Sequence, residues 1–381
     1  MIEGVSDTPP ETAPTRGLLG RLRRPTGEDP AAPATPPDPV HDPTGDDVAG
    51  DDLPVGPPPV VPEGVAPSAP LPGADALDDL GLATAGDDGS DGDGGDGQDG
   101  VDDETAGERQ DARTVPQEGS GGRFARPLPR VMAVANQKGG VGKTTTTVNL
   151  SAALADLGFR VLIVDLDPQG NASTGVGINI RDLSTSVYDV LLHDAPMEDC
   201  IEATSVRNLY VAPANLDLAG AEIELVPAFS RELRLRTAID SVRDDYDYIL
   251  IDCPPSLGLL TVNSLAAASE VLVPIQCEYY ALEGLGQLLR NVGLVQKNLN
   301  PTLEVSAILC VMYDARTKLA DQVVAEVRSH FGDKVCRTVV PRTVRLSEAP
   351  SYGQPITAFD PSSRGSIAYK EVAKEVSGGT P

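Results

Sequence analysis

Ten consecutive residues, Asn136-Gln137-Lys138-Gly139-Gly140-Val141-Gly142-Lys143-Thr144-Thr145, concentrate chemistry suited to a phosphate chain. Gly139, Gly140 and Gly142 let the backbone turn so that successive N–H groups, with those of Val141 and Thr145, converge on an anion. Lys143 has the reach to touch β- and γ-phosphates, and the Thr144 hydroxyl can hold Mg²⁺ directly. The run follows an apolar β-branched stretch and opens a helix-length one, so the positive end of a helix dipole adds to the cradle. The implied ligand is a Mg²⁺–nucleoside triphosphate. Where a phosphate-binding loop usually starts with glycine this one has Gln137, and it carries a second lysine, Lys138.

Two further segments supply carboxylates. The apolar run Val161-Leu162-Ile163-Val164 ends in Asp165-Leu166-Asp167-Pro168-Gln169-Gly170, placing acids two residues apart at a strand's C-terminal end, where open α/β sheets bind ligands. By their chemistry either aspartate could polarise a water or hold a metal's hydration shell, and Asp-Pro is also an ordinary turn. The run Tyr248-Ile249-Leu250-Ile251 delivers Asp252, suited to holding Mg²⁺ through a water.

Positioning these groups requires a sheet. Continuous apolar runs at Val131–Ala135, Arg160–Val164, Leu209–Val211, Tyr248–Ile251, Val271–Pro274, Val305–Val311 and Thr338–Val340 read as strands buried on both faces. Helix-length segments at Lys143–Leu157, Arg231–Asp244, Gly258–Ala267, Ala281–Asn298, Leu319–Phe331 and Ser366–Val376 alternate with them. The pattern predicts a doubly wound α/β fold with a mostly parallel sheet over residues 129–381.

Residues 1–128 have a different texture, rich in Pro, Gly, Ala and Asp. They offer too little apolar surface to offset roughly 1–2 kcal/mol of backbone entropy per ordered residue, which predicts a disordered acidic tail. Residues 1–130 hold 27 acidic and 9 basic side chains, a net of −18 out of −27 for the chain, so the remainder is only mildly acidic and can still present a basic patch. Arg123, Arg126 and Arg130 read as a positive patch closing the tail, and Gly17–Arg24 (Gly-Leu-Leu-Gly-Arg-Leu-Arg-Arg) as a small basic-apolar island.

The loop with its extra lysine resembles the deviant phosphate-binding signature K-G-G-x-G-K-T of the ParA/MinD superfamily, P-loop NTPases. Likeness to the chromosomal ParA/Soj branch extends through Asp252-Cys253-Pro254-Pro255-Ser256, Gln276–Gly284, Asp314-Ala315-Arg316-Thr317 and Val340–Pro350, covering nearly all of residues 131–376. The resemblance implies an ATP-dependent sandwich dimer in which Lys138 reaches the partner's nucleotide, with Lys138, Lys143 and Asp167 catalytic and Asp165 supporting the site. It implies that Pro341 and Thr343 belong to the adenine pocket, where the family usually has Asn in place of Thr343. It also implies that Arg316 and Arg345 bind nucleoid DNA non-specifically, and that a ParB-type centromere-binding protein stimulates a slow ATPase. The expected setting is cytoplasmic and nucleoid-associated.

Other classes fit less well. A MinD-like division regulator needs a basic amphipathic C-terminal membrane helix, and Lys370–Pro381 does not read as one. An iron–sulfur carrier needs bridging cysteines, and Cys200, Cys253, Cys277, Cys310 and Cys336 show no Cys-x-x-Cys spacing, reading instead as small buried apolar groups. No stretch approaches the ~20 apolar residues of a membrane span, and the N-terminus does not read as a leader.

Overall fold

A computed structural model describes residues 126–278 and 281–378. The Gly17–Arg24 island, Arg123, most of the acidic segment and Tyr279-Tyr280 lie outside them.

Six of the seven expected strands, joined by a short strand that was not expected, β3, form one seven-stranded sheet: β1 (Arg130–Val134), β2 (Val161–Asp165), β3 (Glu202–Ala203), β4 (Leu209–Ala212), β5 (Tyr248–Asp252), β6 (Glu270–Gln276) and β7 (Glu304–Val311). Their order is β3-β4-β2-β5-β1-β6-β7. All pairings are parallel except that of β3, a two-residue antiparallel edge on β4. Every residue of β1, β2 and β5 is buried, and separate apolar clusters line the two faces of the sheet. This is the burial that continuous apolar strands require.

The helices are α1 (Lys143–Asp156), α2 (Asn171–Gly175), α3 (Val187–Leu192), α4 (Met197–Cys200), α5 (Leu218–Glu224), α6 (Arg234–Asp240), α7 (Leu259–Ala267), α8 (Ala281–Asn298), α9 (Lys318–Phe331), α10 (Val344–Glu348), α11 (Ile356–Phe359) and α12 (Arg364–Ser377). Helix α1 lies between the sheet and α12, so most of its circumference is buried. Thr146 Oγ1 lies 3.2 Å from the Tyr369 hydroxyl, and Asn149 Oδ1 accepts from the Ile356 amide at 2.6 Å. The phosphate-loop helix is thereby clamped by the C-terminal elements. The buried face of α12 holds Ala368, Tyr369, Val372, Ala373 and Val376, so its apolar stripe is already used inside the protein. Among the described residues no helix is long and apolar enough to cross a membrane.

Three expectations are corrected. Thr338–Val340 is not a strand: the segment runs beside β7 but makes only isolated bridges, Ile308 to Val335 and Tyr313 to Pro341. The Glu375 carboxylate takes the Arg337 and Thr338 amides, each at 2.8 Å, and Pro341 has no N–H to offer a ladder. The expected helix Arg231–Asp244 is shorter, Arg234–Asp240 followed by a 3₁₀ turn at Arg243–Asp245. Its start is lost because Ser230 has φ 51° and Asn263 Nδ2 donates to the Arg231 carbonyl at 2.8 Å. Finally, Arg126 and Arg130 do not form a free positive patch. Arg130 is buried in β1 and donates twice to Glu270, at 2.7 Å each, and to the Val376 carbonyl at 2.6 Å, while Arg126 pairs with Glu304 and Glu270.

Candidate nucleotide site

Strand β1 ends at Val134, and Asn136 anchors the loop that follows. Its Nδ2 donates to the Pro274 carbonyl at 2.8 Å and its Oδ1 accepts from the Lys138 amide at 3.0 Å, tying the loop to the C-terminal end of β6. Gly140 and Gly142 have φ 74° and 81°, left-handed values that side chains rarely tolerate, and Gly142 caps α1. A Cβ at Gly139 or Gly140 would meet nothing within 4 Å, which leaves the concave side open to a ligand.

Lys143, the first residue of α1, is buried, and its Nζ donates to the Lys138 carbonyl at 3.4 Å. Burial lowers its pKa, and the Asp252, Cys253 and Asp167 charges partly counter this. An ammonium held with so few partners suits an incoming polyanion.

The carboxylates divide into a tied one and a less tied one. Asp165 and Asp252 are register partners on neighbouring strands and both are fully buried. Asp165 Oδ2 accepts from the Ser173 amide and hydroxyl at 2.8 and 2.7 Å, and Oδ1 from the Asp167 amide at 3.2 Å. Asp252 Oδ1 accepts from Thr147 Oγ1 at 2.9 Å, but its buried Oδ2 has no partner. Desolvation pushes both carboxyls upward, and the Asp165 charge adds to the rise at Asp252. A buried carboxylate oxygen without a donor fits a site that receives a hydrated cation, because leaving it bare costs on the order of 1–3 kcal/mol. Asp167 is half-buried past the end of β2, with Oδ1 accepting from the Gln169 amide at 3.0 Å.

Beside the loop a cavity of about 330 Å³ is lined by Gly142, Thr145, Met312, Pro341, Thr343 and Tyr369, among others. Its size and mixed lining suit a planar base. Pro341 lies against it by the bridge to Tyr313, and the Thr343 hydroxyl caps α10 by accepting from the Leu346 amide at 3.3 Å.

Comparison with known proteins now bears on this geometry. A family described as AAA domain matches residues 129–305. The sporulation initiation inhibitor protein Soj of Bacillus subtilis is 60% identical over 249 residues, spanning 65% of this chain and 98% of that protein. The chain belongs to the ParA/Soj family of P-loop ATPases. The chromosome partitioning protein ParA of Caulobacter vibrioides is 53% identical over 254 residues, 66% of this chain and 95% of its own length. Among solved structures, a chain from Mycobacterium smegmatis described as cobyrinic acid a,c-diamide synthase with bound ADP and magnesium is 42% identical at TM-score 0.57, covering 65% of this chain and 93% of that one. The septum site-determining protein MinD of Pyrococcus horikoshii, complexed with Mg-ADP, is 28% identical at TM-score 0.54, covering 65% and 95%.

Within the ParA/Soj fold the remaining sequence-derived residues lie apart from the phosphate loop's interior. Lys138 is partly exposed, with Nζ 3.5 Å from Glu278 Oε2. Arg316 is fully on the surface and grips Asp314 at 2.9 and 2.7 Å, which holds that carboxyl down to about 2. Arg345 lies between Glu348 at 3.0 Å and Asp360 at 3.4 Å. Both arginines are therefore reachable but already paired. Sequence reasoning did not find Thr147 or Met312 as parts of the site, and it quoted Asn136 and Glu278 inside its motifs without assigning either a role. Thr147 lies one helical turn beyond Lys143, a spacing that could have suggested it, whereas Met312, at φ 53°, reaches the cavity only because β7 ends there.

Proposed function

We propose that this chain is a chromosome-partitioning ATPase whose ATP-bound homodimer binds nucleoid DNA non-specifically and is released when a ParB-type partner stimulates hydrolysis. The observation that carries this reading is Lys138: a second lysine in the phosphate loop, placed on the open rim, its side chain held among the described residues by a surface ion pair to Glu278. In this reading residues 129–381 are the ATPase domain and residues 1–128 an acidic tail. Gly139 to Thr145 cradle the phosphates of ATP, Lys143 neutralises them, and Pro341 and Thr343 flank the base. Thr144 and, through a water, Asp252 hold Mg²⁺, which supplies charge neutralisation across the phosphates. Asp167 orients the attacking water, and Asp165, with all its acceptors committed near the Asp167 and Ser173 backbone, supports that loop from behind. Lys138 crosses to the second copy, giving dimerisation the dependence on ATP that a switch requires. Arg316 and Arg345 contact DNA phosphates after exchanging their carboxylate partners, and the protein works in the cytoplasm on the nucleoid.

The test is binding of the full chain to non-specific duplex DNA with ATP, ADP or no nucleotide at two salt concentrations. Salt-sensitive binding with ATP alone, lost in Lys143→Ala and Arg345→Glu, is the expected result. ATP hydrolysis without DNA binding under any nucleotide would defeat the partition reading.

A further inference from the structure

Between β4 and β5 the chain leaves an apolar strip in solvent. Leu216, Ile223, Val226 and Phe229 are 69, 78, 56 and 91% exposed, while Leu218, Ala221 and Leu225 of the same segment are buried. The exposed four are spaced by seven, three and three residues, which sets them on one side of a helical path. Hydrogen bonds from the Val226 amide to the Ile223 carbonyl and from the Ala228 amide to the Leu225 carbonyl carry the winding past the end of α5. The buried three belong to the core on that face of the sheet, so the strip is presented on a fixed support. Contiguous exposed apolar surface of this kind marks an interaction site.

The charge around the strip is of one sign. From Pro213 to Ser230 the chain carries Asp217, Glu222 and Glu224 and no lysine, arginine or histidine. The Asp217 carboxylate accepts from Asn215 Nδ2 at 3.3 Å, and that of Glu224 from the Tyr188 hydroxyl at 2.9 Å. Glu222 lies against Gly258, and its Oε1 is buried without a hydrogen-bond partner. None of the three has a cationic partner among the described residues, whereas Glu232 and Asp194 are held by Arg231 at 2.8 Å and by Arg234 at 2.6 Å. Unpaired acids beside an apolar face favour a basic partner, because opposite potentials steer association and like ones oppose it.

We propose that the Leu216–Phe229 strip is a docking surface for a cationic amphipathic helix of another protein. The helix lays its apolar face on the four exposed side chains, and its lysines or arginines meet Asp217 and Glu224. Area favours a single helix over a second copy of this chain. Four side chains at these exposures present on the order of 500 Å², against the roughly 800 Å² per partner that a stable pair of globular chains buries. Charge argues the same way, since a two-fold contact places identical patches together and would bring the unpaired acids of both copies to one interface. Apolar anchors at three- and seven-residue spacing are the means by which an amphipathic helix is held in such a place. The strip contains none of the residues assigned to the nucleotide, the dimer or DNA, so docking does not require bound nucleotide and is separate from partner-stimulated hydrolysis.

The experiment uses the full chain and a short model peptide of leucine and lysine patterned as an amphipathic helix, with a photoreactive residue on its leucine face. A reference peptide has glutamate at every lysine. Cross-links are formed at about 150 mM salt, where loose attraction to distant acids is screened, and their positions are read by mass spectrometry. The lysine peptide should label residues 214–230 equally with an ATP analogue, with ADP and without nucleotide, and the glutamate peptide should not label them. Ile223→Ser, Phe229→Ser and the pair Asp217→Lys with Glu224→Lys should each lower that labelling about tenfold or more, in line with loss of a hot spot. Leu294→Ser, at an exposed apolar residue of α8, should leave it unchanged. Labelling that falls outside the strip, or that the strip variants do not alter, would overturn the proposal, as would equal labelling by the two peptides or labelling with the ATP analogue alone. Loss of a ligand-free dimer in Ile223→Ser, read by sedimentation, would make a second copy the occupant and overturn it as well.

Discussion

Lys138 is the residue on which the functional reading turns, and its surroundings make a specific claim. Its only ion-pair partner among the described residues is Glu278, 3.5 Å away and half exposed. Exposed pairs of this kind contribute little, so Glu278 restrains the lysine without locking it. Glu278→Gln should therefore favour the analogue-dependent dimer by about two- to fivefold in sedimentation or light scattering, with nucleotide affinity of the monomer unchanged. Thr343 makes a second residue-scale case. Its side chain caps α10, and Asn serves at least as well as Thr at that position of a helix. The Thr in place of the family's usual Asn thus keeps the capping function. Thr343→Ala should cost about 1 kcal/mol in denaturant unfolding, whereas Thr343→Asn should be close to neutral.

Among the elements, β1 carries both the site and the fold's most deeply buried ion pair. Arg130 donates to Glu270 on the adjacent β6 and to the last turn of α12, and its guanidinium lies 5.4 Å from the centre of the Tyr248 ring. Both partners are almost wholly buried, and removing Glu270 leaves the Arg130 charge uncompensated in the interior, whereas Glu270 without Arg130 would keep Arg126 at 3.6 Å. Glu270→Ala should destabilise the protein by about 3–5 kcal/mol, read as a large fall in thermal midpoint. The same contact fastens α12 beside α1, so nucleotide affinity should fall only at temperatures near the lowered midpoint. In helix α12 the buried apolar residues pack against α1 and the core, and Ile367 is its exposed large apolar side chain.

For the molecule as a whole the question is how an acidic protein would hold DNA. The net charge is −27, with two-thirds of it before residue 131. In the described part Arg316 and Arg345 are each occupied by neighbouring carboxylates, so under the proposed DNA binding phosphates would compete with Asp314, Glu348 and Asp360. Asp314→Asn should raise ATP-dependent DNA affinity a few-fold in a filter or fluorescence assay at moderate salt. Arg345→Ala should lower it and reduce the salt slope by about 1. If Asp314→Asn leaves affinity unchanged, Arg316 lies outside the DNA contact.

The loop from Lys138 to Thr145, the paired acids of β2 and the lone acid of β5 were legible in the sequence because each sits at the end of a continuous apolar run. A parallel sheet buries such strands on both faces and brings their C-terminal ends to one edge. The cavity beside the loop includes Pro341 and Thr343, both singled out in the sequence, but Met312 joins it only through the course of the chain after β7. The segment Thr338–Val340 misled because apolar β-branched residues favour a strand, while Glu375, distant in sequence, claims the amides a ladder would need. Arg130 misled in the opposite sense, as a charge beside a polar tail that folding carries into the core to meet Glu270. Local runs and their ends were decided by the sequence itself, since burial on two faces and tight turns depend on neighbouring residues. That Arg130 enters the core and that Asp252 is held by a helix hydroxyl were decided only by the tertiary structure, because Thr147, Glu270 and Val376 lie 105 to 246 residues away from the groups they bind.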